Sequence, residues 1–345
     1  MRFAFRTVGA LAVVSLLVGA CGSAATPTPA LTPGAAAAPS AALAPSATPA
    51  RTAAPTPTRA PSTTPPPLPS PGTDAVQAAR AVQSLLERHE AAWATKSVEA
   101  IMAFWSDDVR FTDILGEWRD APRTEVERMV RYTMQYWPNV EGGNLSYFAD
   151  ATGAVFSSDI WNIGDATEAN PVHEVDQYGT GGGLLTSLHT TYDVKSLAHI
   201  TGRPVADFAA METMIQGYAD AWSSGEPSSV GELYAEAAWR TDTLRGESAE
   251  GRQAISDTAA RSFTSSPGAA WRVDTVFGDS GVGGVMTGGI FTVRLAEPDA
   301  CELGAAVVLE TNEARKIVTE QVYWEVDSLI RCGLVASVVS AVPTD

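Results

Sequence analysis

Residues 92–115 read AWATKSVEAIMAFWSDDVRFTDIL, and residues 221–244 read AWSSGEPSSVGELYAEAAWRTDTL. Set at a constant offset of 129 without a gap, the two stretches share an opening Ala-Trp, an acid-rich turn, and a closing Thr-Asp with Leu two residues later. The chain is an internal duplication. The register extends outward, because Arg123 meets Arg252, Val126 meets Ile255, and Trp137-Pro138 meets Ser266-Pro267. Near the end the offset grows to 132 and sets Tyr192-Asp193-Val194 and Ser196-Leu197 on Trp324-Glu325-Val326 and Ser328-Leu329. A period this long means two copies of a domain, not a solenoid of short repeats.

What precedes the first copy reads differently. Arg2 and Arg6 flank Phe3 to Phe5, and residues 7–20 are an apolar run ending in Val18-Gly19-Ala20-Cys21. The run is too short to span a bilayer as a mature helix, and its basic start and small-residue end read as an export signal over residues 1–21. Those last four residues resemble a bacterial lipobox, in which the cysteine is lipidated and becomes the new N-terminus. The expectation is an exported chain held at the outer surface of the cell membrane through Cys21. Residues 22–73 hold 14 of the 22 prolines, with Arg51 and Arg59 as their only charges. Such a composition cannot bury a core and reads as a disordered tether.

All 40 acidic residues but only 19 of the 23 basic ones lie at or beyond Asp74, giving that part a net charge of −21. A field of that sign repels nucleic acid and anionic headgroups, which excludes nucleic-acid binding. Its pull on cationic ligands is a weak hint beside the simpler reading of a solvated acidic surface. Of the three cysteines, Cys301 and Cys332 remain if Cys21 is acylated, and in an oxidising compartment they read as a disulfide. Bridging requires the chain to reverse after Val326, for which Asp327-Ser328 offers a turn. The alternative is two separate buried thiols.

Apolar periodicity predicts a helix over residues 74–95 with Val82, Leu85, Leu86, His89 and Trp93 on its inner face. Met211, Met214, Ile215, Tyr218 and Trp222 repeat that face in the second copy. Short helices are expected at 98–105 and 229–234, strands at 109–115 and 238–244, and third helices at 122–136 and 251–263. Strand alternation follows at 154–163, 172–177 and 184–194, and again at 271–277, 284–295, 303–310 and 316–326. Three helices followed by an antiparallel sheet, twice, is an α+β pattern with domains at residues 74–202 and 203–345.

A helix ending in Ala-Trp, a short helix, a Thr-Asp strand, a helix after Gly-Arg and a final Tyr-Trp strand together resemble the nuclear transport factor two-like superfamily, which includes the SnoaL-like proteins. In the second copy Cys301, Leu303, Ile317, Thr319, Gln321 and Tyr323-Trp324 are most similar to ketosteroid isomerase. The resemblance implies two tandem cones, each a curved antiparallel sheet wrapped around three helices, and a pocket lined by Trp93, Phe111, Trp222, Arg240, Val307 and Trp324. The superfold hosts enzymes and pure binders alike.

It also implies three positions to test. The isomerase's catalytic aspartate falls on Asp242 and, in the first copy, on Asp113; both sit on a strand face among apolar groups, where burial raises a carboxylate's pKa. Arg240 stands where the first copy has Phe111, and a guanidinium that close would favour the ionised Asp242. The isomerase's tyrosine falls on Tyr218, with His89 as its counterpart. Its neutral aspartic acid falls on Val307 and on Val175, neither of which donates a hydrogen bond; Asp176 is adjacent to Val175, but alternation points it away unless a bulge shifts the register. Losing such a donor costs about a hundred- to thousandfold in rate.

Other chemistry finds less support. His89, His173, His189 and His199 lack metal-ligand spacing, Gly179 to Gly183 read as a hairpin loop and not a phosphate cradle, and no nucleophile elbow occurs. Asp159 on its Asp-Ile-Trp strand lacks the second carboxylate that epoxide hydrolysis would need. No metal or cofactor is expected. Two functional classes remain: a lipoprotein binding a small apolar or amphipathic molecule, or an isomerase or dehydratase working through Asp242 with Tyr218, or Asp113 with His89. The two copies are free to pack on each other as an intramolecular pseudo-dimer in either case.

Overall fold

The computed structural model describes residues 72–113, 115, 118–279, 286–296 and 300–335. The expected signal, Cys21 and nearly all of the tether lie outside the described residues. The elements run α1 (Thr73–Ala94), α2 (Val98–Met102), β1 (Trp105–Asp113), β2 (Trp118–Ala121), α3 (Arg123–Tyr136), β3 (Glu141–Ala149), β4 (Gly153–Trp161), β5 (Val172–Gly181), β6 (Leu184–Asp193) and α4 (Val194–Thr201). After a 3-10 turn at Val205–Phe208 the same order returns: α5 (Ala209–Ser223), α6 (Pro227–Gly231), β7 (Tyr234–Asp242), β8 (Glu247–Glu250), α7 (Arg252–Ser265), β9 (Ala270–Gly278), β10 (Met286–Leu295), β11 (Cys301–Thr311), β12 (Ile317–Trp324) and α8 (Val326–Arg331). The protein is mixed α+β with one large sheet.

Local chemistry sets these boundaries. The helix α1 buries Val76, Ala79, Val82, Leu86, His89 and Trp93 along one face and carries Asp74 in its first turn, where the helix dipole favours a negative charge. The Ser97 hydroxyl accepts from the Ala100 amide and starts α2, and Asp193 accepts from Ser196 and starts α4. Gly202 ends α4 in the left-handed conformation that glycine tolerates. Between β5 and β6, Gly182 and Gly183 both have positive φ, the geometry that a two-residue hairpin turn demands.

The structure differs from the expected pattern in four respects. A strand, β3, precedes the expected first-half strands, its alternation hidden by Gly142, Gly143 and Asn144. Short strands β2 and β8 fold back on β1 and β7. The last strand of each half ends early, at Asp193 and Trp324, because α4 and α8 begin there. The sheet is not purely antiparallel either: β1 pairs parallel with β6, and β7 with β12. The long path from β1 to β6, through α3 and four strands, makes a parallel return feasible.

Nor are there two separate sheets. The edge of β6 pairs with β9 through Tyr192 with Gly278 and Asp193 with Phe277, and β12 pairs with β3 through Trp324 with Ala149. With β11 paired to both β10 and β12, eight strands close in the order β11-β10-β9-β6-β5-β4-β3-β12 and back to β11. Closure removes the exposed edges that would otherwise template aggregation. The strands β4 and β11 are buried on both faces over most of their length. Ala305, Val307 and Leu309 pack with the helices in the main core, while Ala306 and Val308 join Phe148, Val155, Val175, Phe277 and Tyr323 in a cluster contributed by strands of both halves. Cys301 and Cys332 are bonded, their Cα atoms 5.8 Å apart, with α8 supplying the chain reversal.

Candidate functional site

In the second half the buried acids Glu320 and Asp242 are partnered, and Trp222 Nε1 and the Thr243 hydroxyl are the buried polar atoms that complete no hydrogen bond among the described residues. Glu320 on β12 is fully buried and accepts from the Tyr218 hydroxyl at 2.7 Å, from the Arg240 Nε at 3.2 Å and from the Tyr234 hydroxyl. Burial, then the adjacent carboxylate, hold both tyrosines well above their usual pKa. Burial is the largest single influence and would lower Arg240, but Glu320 together with Tyr218, Asp242 and Tyr234 outweighs it and the guanidinium stays protonated. Arg240 thus serves Glu320 first and reaches Glu247 at 3.8 Å, where it was expected beside Asp242. The guanidinium also lies over the Trp222 ring, 5.1 Å from its centroid. Tyr218 is therefore committed to Glu320 and packs on Trp222, Trp271 and Phe291, away from Asp242.

Asp242, at the end of β7, accepts from Trp324 Nε1 at 3.1 Å and from the Arg245 amide at 3.2 Å, with the Arg245 side chain at 3.8 Å. It borders a cleft with Trp222, Arg240, Glu247, Phe263, Trp271 and Trp324. The cavity volume is about 40 Å³, room for ordered water and far below the hundreds of Å³ of common ligand sites. Val307 is buried in the core and does not line this cleft. Trp324→Phe removes one donor from a buried carboxylate and is expected to lower unfolding free energy by about 2 kcal/mol in urea titrations, with the fold retained.

The first half differs at each of these places. Leu188 stands where β12 has Glu320, and Phe111 where β7 has Arg240. Asp113 is fully buried at the end of β1, accepting from the Leu115 amide at 2.9 Å and from the Tyr192 hydroxyl at 3.4 Å. Strand pairing corrects the third position. Glu174 faces Tyr192 and Asp176 faces Thr190, just as Ala305 faces Trp324 and Val307 faces Val322. Asp176 and not Val175 is therefore the counterpart of Val307, and it lies on the helix-facing side while Val175 turns into the cluster contributed by strands of both halves.

Around Asp176 the acids accumulate. Glu174 and Asp176 are completely buried, and Glu174 lies near enough to Asp113 and Glu90 to feel both charges. Burial, then the charge of Asp176, hold Glu174 well above the usual carboxylate range. Burial pushes Asp176 up to about 7, against contacts with Glu174, Thr190 and Tyr178 that favour its charged form. The Tyr178 hydroxyl donates to Asp176 at 3.2 Å, but the second Asp176 oxygen, both Glu174 oxygens and the Thr190 hydroxyl complete no hydrogen bond of good geometry among the described residues. His89 is fully buried within 6.4 Å, ring to ring, of Trp93, Phe104, Trp105 and Tyr178. Its nitrogens, both oxygens of Glu90 and the indole nitrogens of Trp93 and Trp105 are likewise without hydrogen-bond partners among the described residues, although Glu90 comes to 3.4 Å of His89 Nδ1. No group of three or more His, Cys, Asp or Glu among the described residues is placed to hold a metal ion.

Glu90, Glu174 and Glu320 escaped the sequence reading. Glu320 shares a strand face with Val322 and Trp324, and a lone charged residue on that apolar row was the available signal.

No protein-family model and no curated protein matches the chain. Solved structures do. A hypothetical protein with a ketosteroid isomerase-like fold from Catenulispora acidiphila DSM 44928, in complex with trimethylamine, is 20% identical over 34% of this chain and 89% of its own, with a TM-score of 0.31. A putative SnoaL-like isomerase from Agrobacterium tumefaciens str. C58 gives 20% identity, 34% and 97% coverage and a TM-score of 0.28. A putative ketosteroid isomerase from Kribbella flavida DSM 17836 gives 16%, 33% and 76%, and 0.28. At such scores the likeness carries no weight for activity or ligand.

Proposed function

We propose that this chain is an exported lipoprotein, anchored through Cys21, whose two SnoaL-like cones at residues 74–202 and 203–345 form an intramolecular pseudo-dimer, and that the first cone binds a small amphipathic molecule. The second cone is its scaffold. One observation carries the reading: buried polar atoms that complete no hydrogen bond among the described residues gather in the interior of the first half, at His89, Glu90, Trp93, Trp105, Glu174, Asp176 and Thr190, whereas the second half leaves Trp222 Nε1 and the Thr243 hydroxyl. Each such atom costs about 1–3 kcal/mol when left unpaired. The second half, built on the same elements, satisfies Glu320 and Asp242 within the chain. A ligand polar at one end and apolar along its body would satisfy the acids while packing on Trp93, Phe104 and Trp105.

A second reading has one specific support. The register that puts Asp176 in place of Val307 gives the first half both a carboxylate at Asp113 and an acid held partly protonated at Asp176, the pair that proton transfer at a carbon acid needs. Native mass spectrometry of the exported full-length protein tests the binding reading. A retained small molecule is expected in the wild type and not in Glu174→Gln/Asp176→Asn. Turnover of a model enone, abolished in Asp113→Asn, would instead favour catalysis. A protein empty under all native conditions would remove the case for a ligand.

A further inference from the structure

The two halves can be compared charge by charge. In the second, every buried acid of the site has a guanidinium from the chain itself: Glu320 has Arg240, Asp242 has Arg245, and Glu247 has Arg240 and Arg261. Two of these cations also cover aromatic faces, Arg240 over Trp222 and Arg245 over Trp324. In the first half the positions of Arg240, Arg245 and Arg261 hold Phe111, Gly116 and Tyr132. The acids have multiplied there, yet the cations are gone. Burial aside, the strongest influences on Glu174 and Asp176 among the described residues are each other, Glu90, Asp113, Thr190 and Tyr178.

Buried carboxylates are retained when something pairs with them, since an isolated buried charge is strongly unfavourable. The rings of Trp93, Phe104, Trp105 and Tyr178 gather about His89, and the acids join this cluster through Glu90, 3.4 Å from His89 Nδ1, and Asp176, which accepts from Tyr178. Carboxylates backed by aromatic faces suit an ammonium or guanidinium group, which gains from both the negative charge and the ring quadrupole. A bare metal ion fits poorly, because hard cations want several convergent oxygens and no such set occurs among the described residues.

We propose that the ligand of the first half is a small organic cation, whose charged nitrogen supplies to Glu174, Asp176 and Glu90 what Arg240 supplies to Glu320 in the second half. This rests on the binding reading above and names the class of its ligand. The oxygens of Glu90 and Glu174 and the Oδ1 of Asp176, buried acceptors that complete no hydrogen bond among the described residues, are the independent sign that something belongs there.

The test uses the full-length chain and tetramethylammonium as probe, against tert-butanol as a neutral analogue and acetate as an anion, followed by calorimetry and tryptophan fluorescence. Tetramethylammonium should bind at least tenfold more tightly than either. Glu174→Gln/Asp176→Asn should weaken it tenfold or more, while Asp242→Asn in the other half leaves it unchanged. Equal binding of tert-butanol or acetate, or loss in Asp242→Asn alone, overturns the cation while leaving a ligand site standing. If no probe binds, the molecule retained in native mass spectrometry decides: one with a basic or quaternary nitrogen upholds the proposal, and one without overturns it. An empty protein that binds no probe removes both this proposal and the binding reading.

Discussion

Glu320→Leu is expected to destabilise the protein by about 3–5 kcal/mol, among the largest single effects available in it. The carboxylate holds three buried groups at once, Arg240, Tyr218 and Tyr234, and both tyrosines are fully buried. Removing it leaves a guanidinium in the core whose remaining acid, Glu247, stands 3.8 Å away. The duplication supplies the control. Leu188 and Phe111 occupy the corresponding places in the first half, so Glu320→Leu with Arg240→Phe transplants a pair that the fold already accommodates. The double variant is expected to recover most of the loss, because apolar replacement of a whole buried ion pair is often neutral. Urea unfolding of the wild type, both single variants and the double variant gives the coupling energy directly. A single-variant cost below about 1 kcal/mol would mean that Arg240 finds another partner and that Glu320 is not the hub of this interior.

Much of this was legible in the sequence. The offset of 129 aligns Trp93 with Trp222 and Asp113 with Asp242, and the structure buries all four. Helices α1 and α5 show their inner faces through spacing alone, since the rest of each helix is polar or small. The strands were harder, for a physical reason. With one face on the helices and the other on the opposite half, β5 and β11 lose the alternation of buried and exposed residues that reveals which side a residue takes. Glu174, Val175 and Asp176 are all buried in a row. A constant offset of 132 therefore placed Val175 opposite Val307, and only hydrogen-bonded register shows the true shift to be one residue less.

That single residue changes how the halves relate. With Val175 in the third position both copies lack a donor there and differ only in detail. With Asp176 in it, the copies divide the chemistry: one gathers buried acids, the other holds its buried acids in ion pairs. Edge pairing of β6 with β9 and of β12 with β3 ties them into one sheet, so the satisfied half can offset the instability of the other. Strain of this kind concentrates where function needs it.

The cost of those acids should be measurable as pH dependence. Glu174→Ala/Asp176→Val installs the second half's own residues, Ala305 and Val307, at the matching positions. Both acids have folded-state pKa values raised above those of the unfolded chain, Asp176 to about 7. A raised pKa means that the folded state binds more protons between pH 4 and 7, so the stability contributed by these groups is present below about pH 4 and lost as pH rises through 7. For Asp176 the shift corresponds to about 4 kcal/mol. Facing groups sharpen the effect, since the carboxylates of Glu90 on α1 and Asp113 on β1 act on Glu174 while the hydroxyls of Tyr178 and Thr190 contact Asp176. The ligand-free variant is therefore expected to gain on ligand-free wild type steadily from pH 4 to pH 8, ending roughly 10 °C higher in Tm. Other carboxylates titrate in both proteins and cancel in the difference. A constant difference across that range would show that the acids are already balanced by charges within the chain, and the first half would then have no need of a cation from outside.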